Sequence, residues 1–208
     1  MIPVKILATR VIANAAPGLR MGLGAPVGYP ALGLITTDCD DATYIALDAA
    51  TKAADVRVCY ARSLYAGAGN ATTPNAGEVI GVLAGTNPET LKSGMEAVLS
   101  TLQRVGFEEV NGVPYLAHTV SSVGTFLAEE AGVRVGTAIA YLIAPPLEAI
   151  YGLDGALKAA DVKLCKLYSP PSETNFGGGL LSGTQSACDA ACRAFAERVR
   201  DVAERAKM

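Results

Sequence analysis

Carboxylates concentrate at one point of the sequence, where DCDD (38–41) ends an apolar segment and begins a predicted helix. Aspartates at a helix start usually accept hydrogen bonds from free backbone N–H groups and complement the helix dipole, which accounts for one or two of the three. Glu78 begins another apolar strand, and we expect Asp40 and Glu78 to face a shared cleft. Two carboxylates without a histidine or metal ligands beside them favour binding of an ammonium group over catalysis.

The usual signatures of catalysis are missing from the sequence. The single histidine, His118, lies in a predicted strand, and no serine or cysteine has the GxSxG context of a hydrolase nucleophile. The glycine-rich segment 175–185 has the spacing of a phosphate-binding loop, but Thr184 stands where its lysine should be. No GxGxxG motif opens a helix after a strand. We therefore predict a protein that is not an enzyme and has no catalytic residue.

Composition narrows the class of protein further. Half of the 208 residues are hydrophobic and 18% are charged, so the chain can bury a substantial core. The net charge of −3 and the absence of a basic cluster argue against nucleic-acid or anionic-membrane partners. No apolar stretch approaches the roughly 20 residues that a membrane span needs, and the first twenty residues lack the apolar run of a signal sequence. We expect a cytoplasmic protein.

The two halves of the chain repeat one another. LDAATKAADVRVC (47–59) and LDGALKAADVKLC (153–165) agree at nine of thirteen positions, 106 residues apart. A repeat of this length predicts two tandem domains, residues 1–105 and 106–208. The polar stretch 105–112 is a short boundary, so we expect the halves to pack rigidly.

Each half shows the same predicted order of elements. A strand, a loose or short helical stretch, a second strand, a helix, a third strand, a loop, a fourth strand and a final helix follow one another. The strands are predicted at 4–13, 31–37, 55–64 and 77–85, then 114–123, 139–145, 161–170 and 177–183; the helices are predicted at 41–54, 88–104, 147–160 and 185–206. Strands alternating with helices on short connections predict the α/β class, here an α+β sandwich of a small antiparallel or mixed sheet flanked by helices.

The cysteines show two patterns of spacing. Cys59 and Cys165 are equivalent in the repeat, which indicates a packing role and no disulfide. Cys188 and Cys192 are one helical turn apart, a spacing that could share a metal, but buried small side chains are the better interpretation because no further ligand is near. A reducing compartment is consistent with this pattern.

Two loops, 60–77 and 169–179, are rich in Gly, Pro, Ser, Thr and Asn and occupy equivalent places in the two halves. Long loops of this kind tend to be functional or mobile. In a ring-shaped oligomer, equivalent loops from all subunits would meet at the centre.

Several motifs together resemble the bacterial microcompartment shell domain. KAADV (52–56 and 158–162) follows a small-residue helix and precedes a strand and a turn into a second helix. A strand that the ordinary domain places near its end stands first in both halves, which resembles the circularly permuted tandem form. SLYAG (63–67) and PPSETN (170–175) are similar to members from ethanolamine utilisation.

The resemblance implies a homotrimer whose six domains form a pseudohexagonal tile. Such tiles join one another and other shell proteins in a sheet around the enzymes of ethanolamine breakdown. It further implies a central pore gated by loops and an ethanolamine site in the small pore of each subunit. No cofactor is required, although members have been associated with cobalamin binding.

The resemblance also assigns roles to particular residues. Asp40, Glu78 and Phe107 match ethanolamine-binding positions, whereas Lys52 and Lys158 match the tile-edge lysine; otherwise their place near a helix end would simply complement the dipole. The gate loops contain Tyr65, Ala66, Gly67, Gly69, Ser172, Glu173, Thr174 and Asn175. No residue is expected to bind a metal. The alternative hypothesis is a soluble tandem-domain sensor that binds a small amine and regulates a partner protein.

Overall fold

The structure, a computed structural model, describes residues 1–63, 78–170, 172 and 174–207. Its contacts divide the chain into two compact units. The N-terminal unit comprises Pro3–Val105 and Gly124–Leu127, and the C-terminal unit comprises Met1–Ile2, Gly106–Val123 and Ala128–Met208. A short segment of the second half, Gly124–Leu127, is thus part of the N-terminal unit.

The N-terminal unit is a sheet packed against helices. Its described elements are β1 (Ile6–Ile12), α1 (Pro17–Gly22), β2 (Ala31–Thr37), α2 (Asp40–Ala53), β3 (Val56–Ser63), β4 (Val79–Gly85) and α3 (Pro88–Leu102). Among the described residues the strand order is β1-β2-β4-β3, with antiparallel pairing throughout.

The two faces of this sheet bury different partners because side chains alternate along each strand. Gly33 faces α3, where an added Cβ would lie 2.8 Å from the Met95 sulfur, so glycine lets the helix lie close to the sheet. On the opposite face, Leu32 and Val82 pack with Ala15 from the stretch that leads into α1.

The C-terminal unit repeats this plan with one additional strand. Its described elements are β5 (Glu108–Val110), β6 (Val113–Val120), β7 (Ala138–Ala144), α5 (Pro146–Ala159), β8 (Val162–Tyr168), β9 (Gly177–Gly183) and α6 (Gln185–Glu204); α4 (Thr125–Ala131) begins in the segment assigned to the other unit. Within the part of the chain described, the strand order is β5-β6-β7-β9-β8, again antiparallel. The predicted fold class, an α+β sandwich, is confirmed.

Strand β5 corrects the expectation that 105–112 is only a polar connection. Glu108–Val110 pairs with the start of β6 through a tight turn at Asn111 and Gly112, which have φ of 48° and 79°. Asn-Gly is the preferred pair where two successive residues need positive φ, because glycine has no Cβ and asparagine tolerates this region. The dipeptide was the signal for this hairpin.

The repeated cysteines mark a shared irregularity of the sheets. The pairing of β3 with β4 slips at Cys59, and that of β8 with β9 slips at Cys165, so each cysteine is the extra residue of a β-bulge. The Cys59 thiol contacts the Val82 carbonyl oxygen at 3.5 Å, and the Cys165 sulfur lies 3.0 Å from the Ser182 hydroxyl. Both side chains are only partly buried. Their equivalence therefore reflects backbone geometry more than core packing.

Candidate functional site

One edge of the N-terminal sheet collects the acidic residues that the sequence singles out. Thr37 of β2 and Ser63 of β3 both pair with Val79 of β4, so the ends of β2 and β3 meet the start of β4. Asp40 begins α2 just after β2, and Glu78 directly precedes β4. Topology thus places Asp40, Ser63 and Glu78 at the same sheet edge.

Asp40 is almost fully buried, with 4% of its surface exposed, and its carboxylate is hydrogen-bonded. The Ser63 hydroxyl donates to Oδ2 at 2.5 Å, and the Asp41 backbone N–H donates to Oδ1 at 2.9 Å. Because Ser63 gives its only proton to Asp40, the Tyr44 hydroxyl, 2.7 Å from Ser63 Oγ, is the donor to Ser63. The Asp40 backbone and the Asp41 side chain also hydrogen-bond this carboxyl group.

Burial dominates the electrostatics of Asp40. Desolvation raises the pKa of this carboxyl from 3.8 to about 6, while the hydrogen bonds from Ser63 and the Asp41 amide act in the opposite direction. A nearby cation would relieve the cost of the buried charge.

A hydroxyl network fixes the turn that presents Asp40. The Thr37 and Thr43 hydroxyls lie 2.7 Å apart, and both contact the Cys39 carbonyl oxygen, at 3.1 and 2.7 Å. Asp38, the first acid of the cluster, accepts from the Lys5 backbone N–H at 2.8 Å. The acidic cluster is therefore divided between Asp38, which accepts from the backbone, and the two buried carboxyl groups of Asp40 and Asp41.

Glu78 and Phe107, the other predicted ligand-binding residues, belong to different units. Glu78 is 8% exposed at the sheet edge of the N-terminal unit. Phe107 is fully buried in the C-terminal unit, where its ring centroid lies 5.8 Å from that of Phe176. The assignment of Phe107 to the ligand site remains a prediction.

The predicted gate lies largely outside the described residues, which exclude Tyr65, Ala66, Gly67, Gly69 and Glu173. Of the others, Ser172 makes several hydrogen bonds to described neighbours. Its hydroxyl donates to the Phe176 carbonyl oxygen at 2.7 Å and lies 3.2 Å from the Thr174 hydroxyl, and its own carbonyl accepts from the Asn175 N–H at 3.1 Å. Asn175 has a positive φ of 64°.

The two predicted edge lysines have different environments. Lys158 lies 2.7 Å from Asp154, and both side chains are largely exposed. Lys52 lies 3.1 Å from Asp48, whose side chain is fully buried. Asp48 also accepts from the backbone N–H groups of Gly124 at 2.8 Å and Leu127 at 2.9 Å, so it fixes the first turn of α4 on α2.

The residues that the structure describes include neither a cluster of metal-ligating side chains nor a membrane-spanning helix. Among them, no group of three or more His, Cys, Asp or Glu side chains is arranged to hold a metal ion. No helix in the described ranges is long and apolar enough to cross a membrane.

Known proteins share this sequence over nearly its full length. A family model described as the BMC domain matches residues 31–113. The bacterial microcompartment shell protein EutL of Clostridium perfringens is 54% identical over 98% of this chain and 95% of its own length. The shell protein EutL of Salmonella typhimurium is 46% identical over 98% of this chain and 94% of its own length. The chain belongs to the EutL family of bacterial microcompartment shell proteins.

Solved structures of the EutL family share the fold. The C. perfringens EutL crystal structure has a TM-score of 0.92 over 99% of this chain and 95% of that chain. The ethanolamine utilization protein EutL of Leptotrichia buccalis is 50% identical, with a TM-score of 0.94 over 100% of this chain and 97% of that chain. As a member of the EutL family, this chain is a structural protein of the microcompartment shell and not an enzyme.

Sequence reasoning missed the partners of the predicted site residues. Ser63 donates to Asp40 from a strand 23 residues farther along the chain, and no motif connects the two. Tyr44 is one helical turn after Asp40 and contacts Ser63. The sequence does contain a signal for Asp48, because it is the aspartate of the repeated LD dipeptide and Asp154 is its equivalent. Its buried role depends on Gly124 and Leu127, about 80 residues away, which the repeat alone does not indicate.

Proposed function

We propose that three copies of this chain form a pseudohexagonal tile in the shell of an ethanolamine-utilising microcompartment. The observation that carries this proposal is the tandem repeat of one fold in two units, which gives a trimer six similar domains. The relative from L. buccalis is itself named an ethanolamine utilization protein. Lys52 and Lys158 serve at the edges where neighbouring tiles meet.

The alternative, a soluble amine sensor, has no support among these relatives, which are shell proteins. The two functions differ in assembly. A sensor stops at a small oligomer, whereas a tile forms trimers that extend into sheets. Assembly is therefore the test of the shell proposal, and it does not depend on any ligand.

The Asp40 edge is proposed to bind the ammonium group of ethanolamine. Asp40 and Glu78 are both nearly buried at one sheet edge, and Asp40 has a raised pKa that a cation would lower. Charge-assisted hydrogen bonds from an ammonium group contribute about 1.5–3 kcal/mol each. Part of this is lost to desolvation, so a dissociation constant on the order of millimolar is expected. Weak binding suits a molecule that has to cross the shell.

Ethanolamine affinity is expected to fall as the pH drops below about 6. Ionised Asp40 is the form that attracts a cation, and its pKa is about 6, whereas a primary amine stays protonated up to a pH of about 10. Affinity should be nearly constant between pH 7 and 8 and fall by up to tenfold per pH unit below 6. Calorimetric titration at pH 5 and 7.5 measures this. An unchanged dissociation constant would exclude Asp40 as the cation's partner.

The loops around Tyr65–Gly69 and Ser172–Asn175 are proposed to gate the central pore. Ser63 ends β3 immediately before the first loop and donates to Asp40. A ligand at Asp40 would therefore act on the residue at which that loop begins. If the ligand binds one loop arrangement better than another, it shifts the pore population by its differential affinity.

A further inference from the structure

Helix α2 binds a segment from the second half of the chain. This α4 segment, Gly124–Leu127, is bound through three backbone N–H groups: those of Gly124 and Leu127 donate to Asp48, and that of Thr125 donates to the Thr51 hydroxyl at 3.1 Å. The Phe126 ring lies 6.0 Å from that of Tyr44, and Leu127 is fully buried. The outer face of α2, formed by Tyr44, Asp48 and Thr51, is thus covered.

The repeat gives the α4 segment an equivalent in the first half. Three backbone N–H to carbonyl hydrogen bonds occur in both halves, and their donors are 108 residues apart. In the first half the donors Ala15, Gly24 and Ala25 bind the carbonyl oxygens of Pro30, Met21 and Arg20. In the second half the donors Val123, Gly132 and Val133 bind those of Thr137, Glu129 and Ala128. The same offset places Ala16–Leu19, here the α1 segment, at the position of Gly124–Leu127. Leu19 corresponds to Leu127, yet Leu19 is 47% exposed and Leu127 is 0% exposed.

Helix α5 has a face equivalent to the covered face of α2, and in the single chain this face is open. The offset of 106 residues between the repeated helices places Ile150, Asp154 and Leu157 at the positions of Tyr44, Asp48 and Thr51. Ile150 is 50% and Leu157 is 37% exposed. The Asp154 side chain is 56% exposed, whereas that of Asp48 is 0% exposed.

We infer that this α5 face, Ile150, Asp154 and Leu157, binds the α1 segment of a second copy of the chain. The inference rests on the proposed trimer and specifies its contact. Each copy offers one α1 segment and one α5 face, so the contact is head-to-tail and can close into a ring. A ring of three copies then contains six similar helix contacts, three within chains and three between them.

Where the contact between copies differs in sequence from the contact within the chain, the residues on the two sides change together. Pro17 stands at the position of Thr125 and has no N–H to donate, and its expected neighbour Leu157 stands at the position of Thr51 and has no acceptor. A hydrogen bond within the chain is thus replaced by an apolar contact between copies, with neither group left unsatisfied. Asp154 keeps the acceptor role of Asp48, and Lys158 would pair with it as Lys52 pairs with Asp48.

One difference predicts that the contact between copies is looser. Ala16 replaces Gly124, and a Cβ on Gly124 would lie 2.7 Å from the Asp48 carbonyl oxygen. The Ala16 methyl therefore has to lie farther from α5, which weakens the hydrogen bonds to Asp154. The apolar contact of Leu19 then becomes the main attachment of the α1 segment, as the hydrophobic effect does not depend on bond geometry.

The variant Leu19→Asp is expected to abolish the trimer while the chain stays folded, because Leu19 is exposed in the single chain. Light scattering should give three times the 21.3 kDa chain mass for the unsubstituted protein and the chain mass for the variant. Met21→Asp is the matched control: Met21 is 81% exposed, and its equivalent Glu129 is exposed in the covered α4 helix, so this variant should stay trimeric. If the Leu19→Asp variant is trimeric, the inferred contact is wrong and the proposed tile still stands. If the unsubstituted protein is monomeric, the proposed tile itself is wrong.

A cross-link tests the partner of the α1 segment directly. A Cβ on Gly124 would lie 2.1 Å from the Thr51 hydroxyl, so cysteines at the equivalent positions, in Ala16→Cys with Leu157→Cys, should come within disulfide reach between copies. Under oxidation the double variant should give covalent dimers and trimers on a non-reducing gel, and either single variant only monomers. A double variant that is trimeric in solution but not cross-linked would show that the α1 segment binds elsewhere.

Discussion

Replacing Asp48 by alanine is expected to lower the free energy of unfolding by about 3–5 kcal/mol. The buried carboxylate accepts from the Gly124 and Leu127 amides and pairs with Lys52 at 3.1 Å. Its removal leaves two buried N–H groups without their acceptor, at about 1–3 kcal/mol each, and Lys52 without its counter-charge. Urea denaturation followed by circular dichroism measures the change.

The control for Asp48→Ala is Glu96→Ala, which removes an exposed carboxylate from helix α3 of the same unit. This change should stay within about 0.5 kcal/mol. Because oligomerisation adds to apparent stability, both variants should be compared with the unsubstituted protein at matched concentrations. Equal loss of stability in the two variants would contradict the role given to Asp48.

Asp40→Asn is expected to weaken ethanolamine binding about 10-fold to 100-fold while the trimer persists. The amide keeps the side-chain volume, and its oxygen can still accept from the Asp41 N–H, but the charge that attracts an ammonium group is gone. One lost charge-assisted hydrogen bond of about 1.5–3 kcal/mol corresponds to this change in dissociation constant. Titration calorimetry at pH 7.5 measures it, and Glu78→Gln should act in the same direction.

Asp38→Asn is the matched control for this site. Asp38 lies in the same acidic cluster, but its carboxylate accepts from the Lys5 backbone N–H at 2.8 Å, a bond that the asparagine oxygen can also accept. Its ethanolamine affinity should remain within twofold of the unsubstituted protein. If Asp38→Asn and Asp40→Asn weakened binding equally, the effect would reflect the net charge of the cluster and not a ligand contact at Asp40.

The order of strands and helices could be predicted because the two halves of the sequence repeat it. Strands 31–37 and 177–183 were predicted at their observed bounds, and the repeated helices within one residue. Periodicity and turn residues are local signals, and a second copy confirms each of them. The hairpin at Asn111 was missed because three residues of strand are too short for an alternating pattern.

Only the acidic residues of the candidate site could be predicted from the sequence. Their concentration at a helix start indicated Asp40, but nothing in the sequence shows that Ser63 reaches it across the sheet edge. Pairing between distant segments depends on tertiary contacts, which a single sequence does not encode in any local pattern. The covered face of α2 is a second example, because its partner Leu127 lies in the other half of the chain.

The central claim, that this protein forms tiles of a shell, is tested most directly by its assembly when concentrated. Electron microscopy should show extended two-dimensional sheets with a hexagonal lattice of trimers, and light scattering of dilute samples should give three times the mass of one chain. Discrete particles without sheets at every concentration, together with a monomeric mass, would contradict the account.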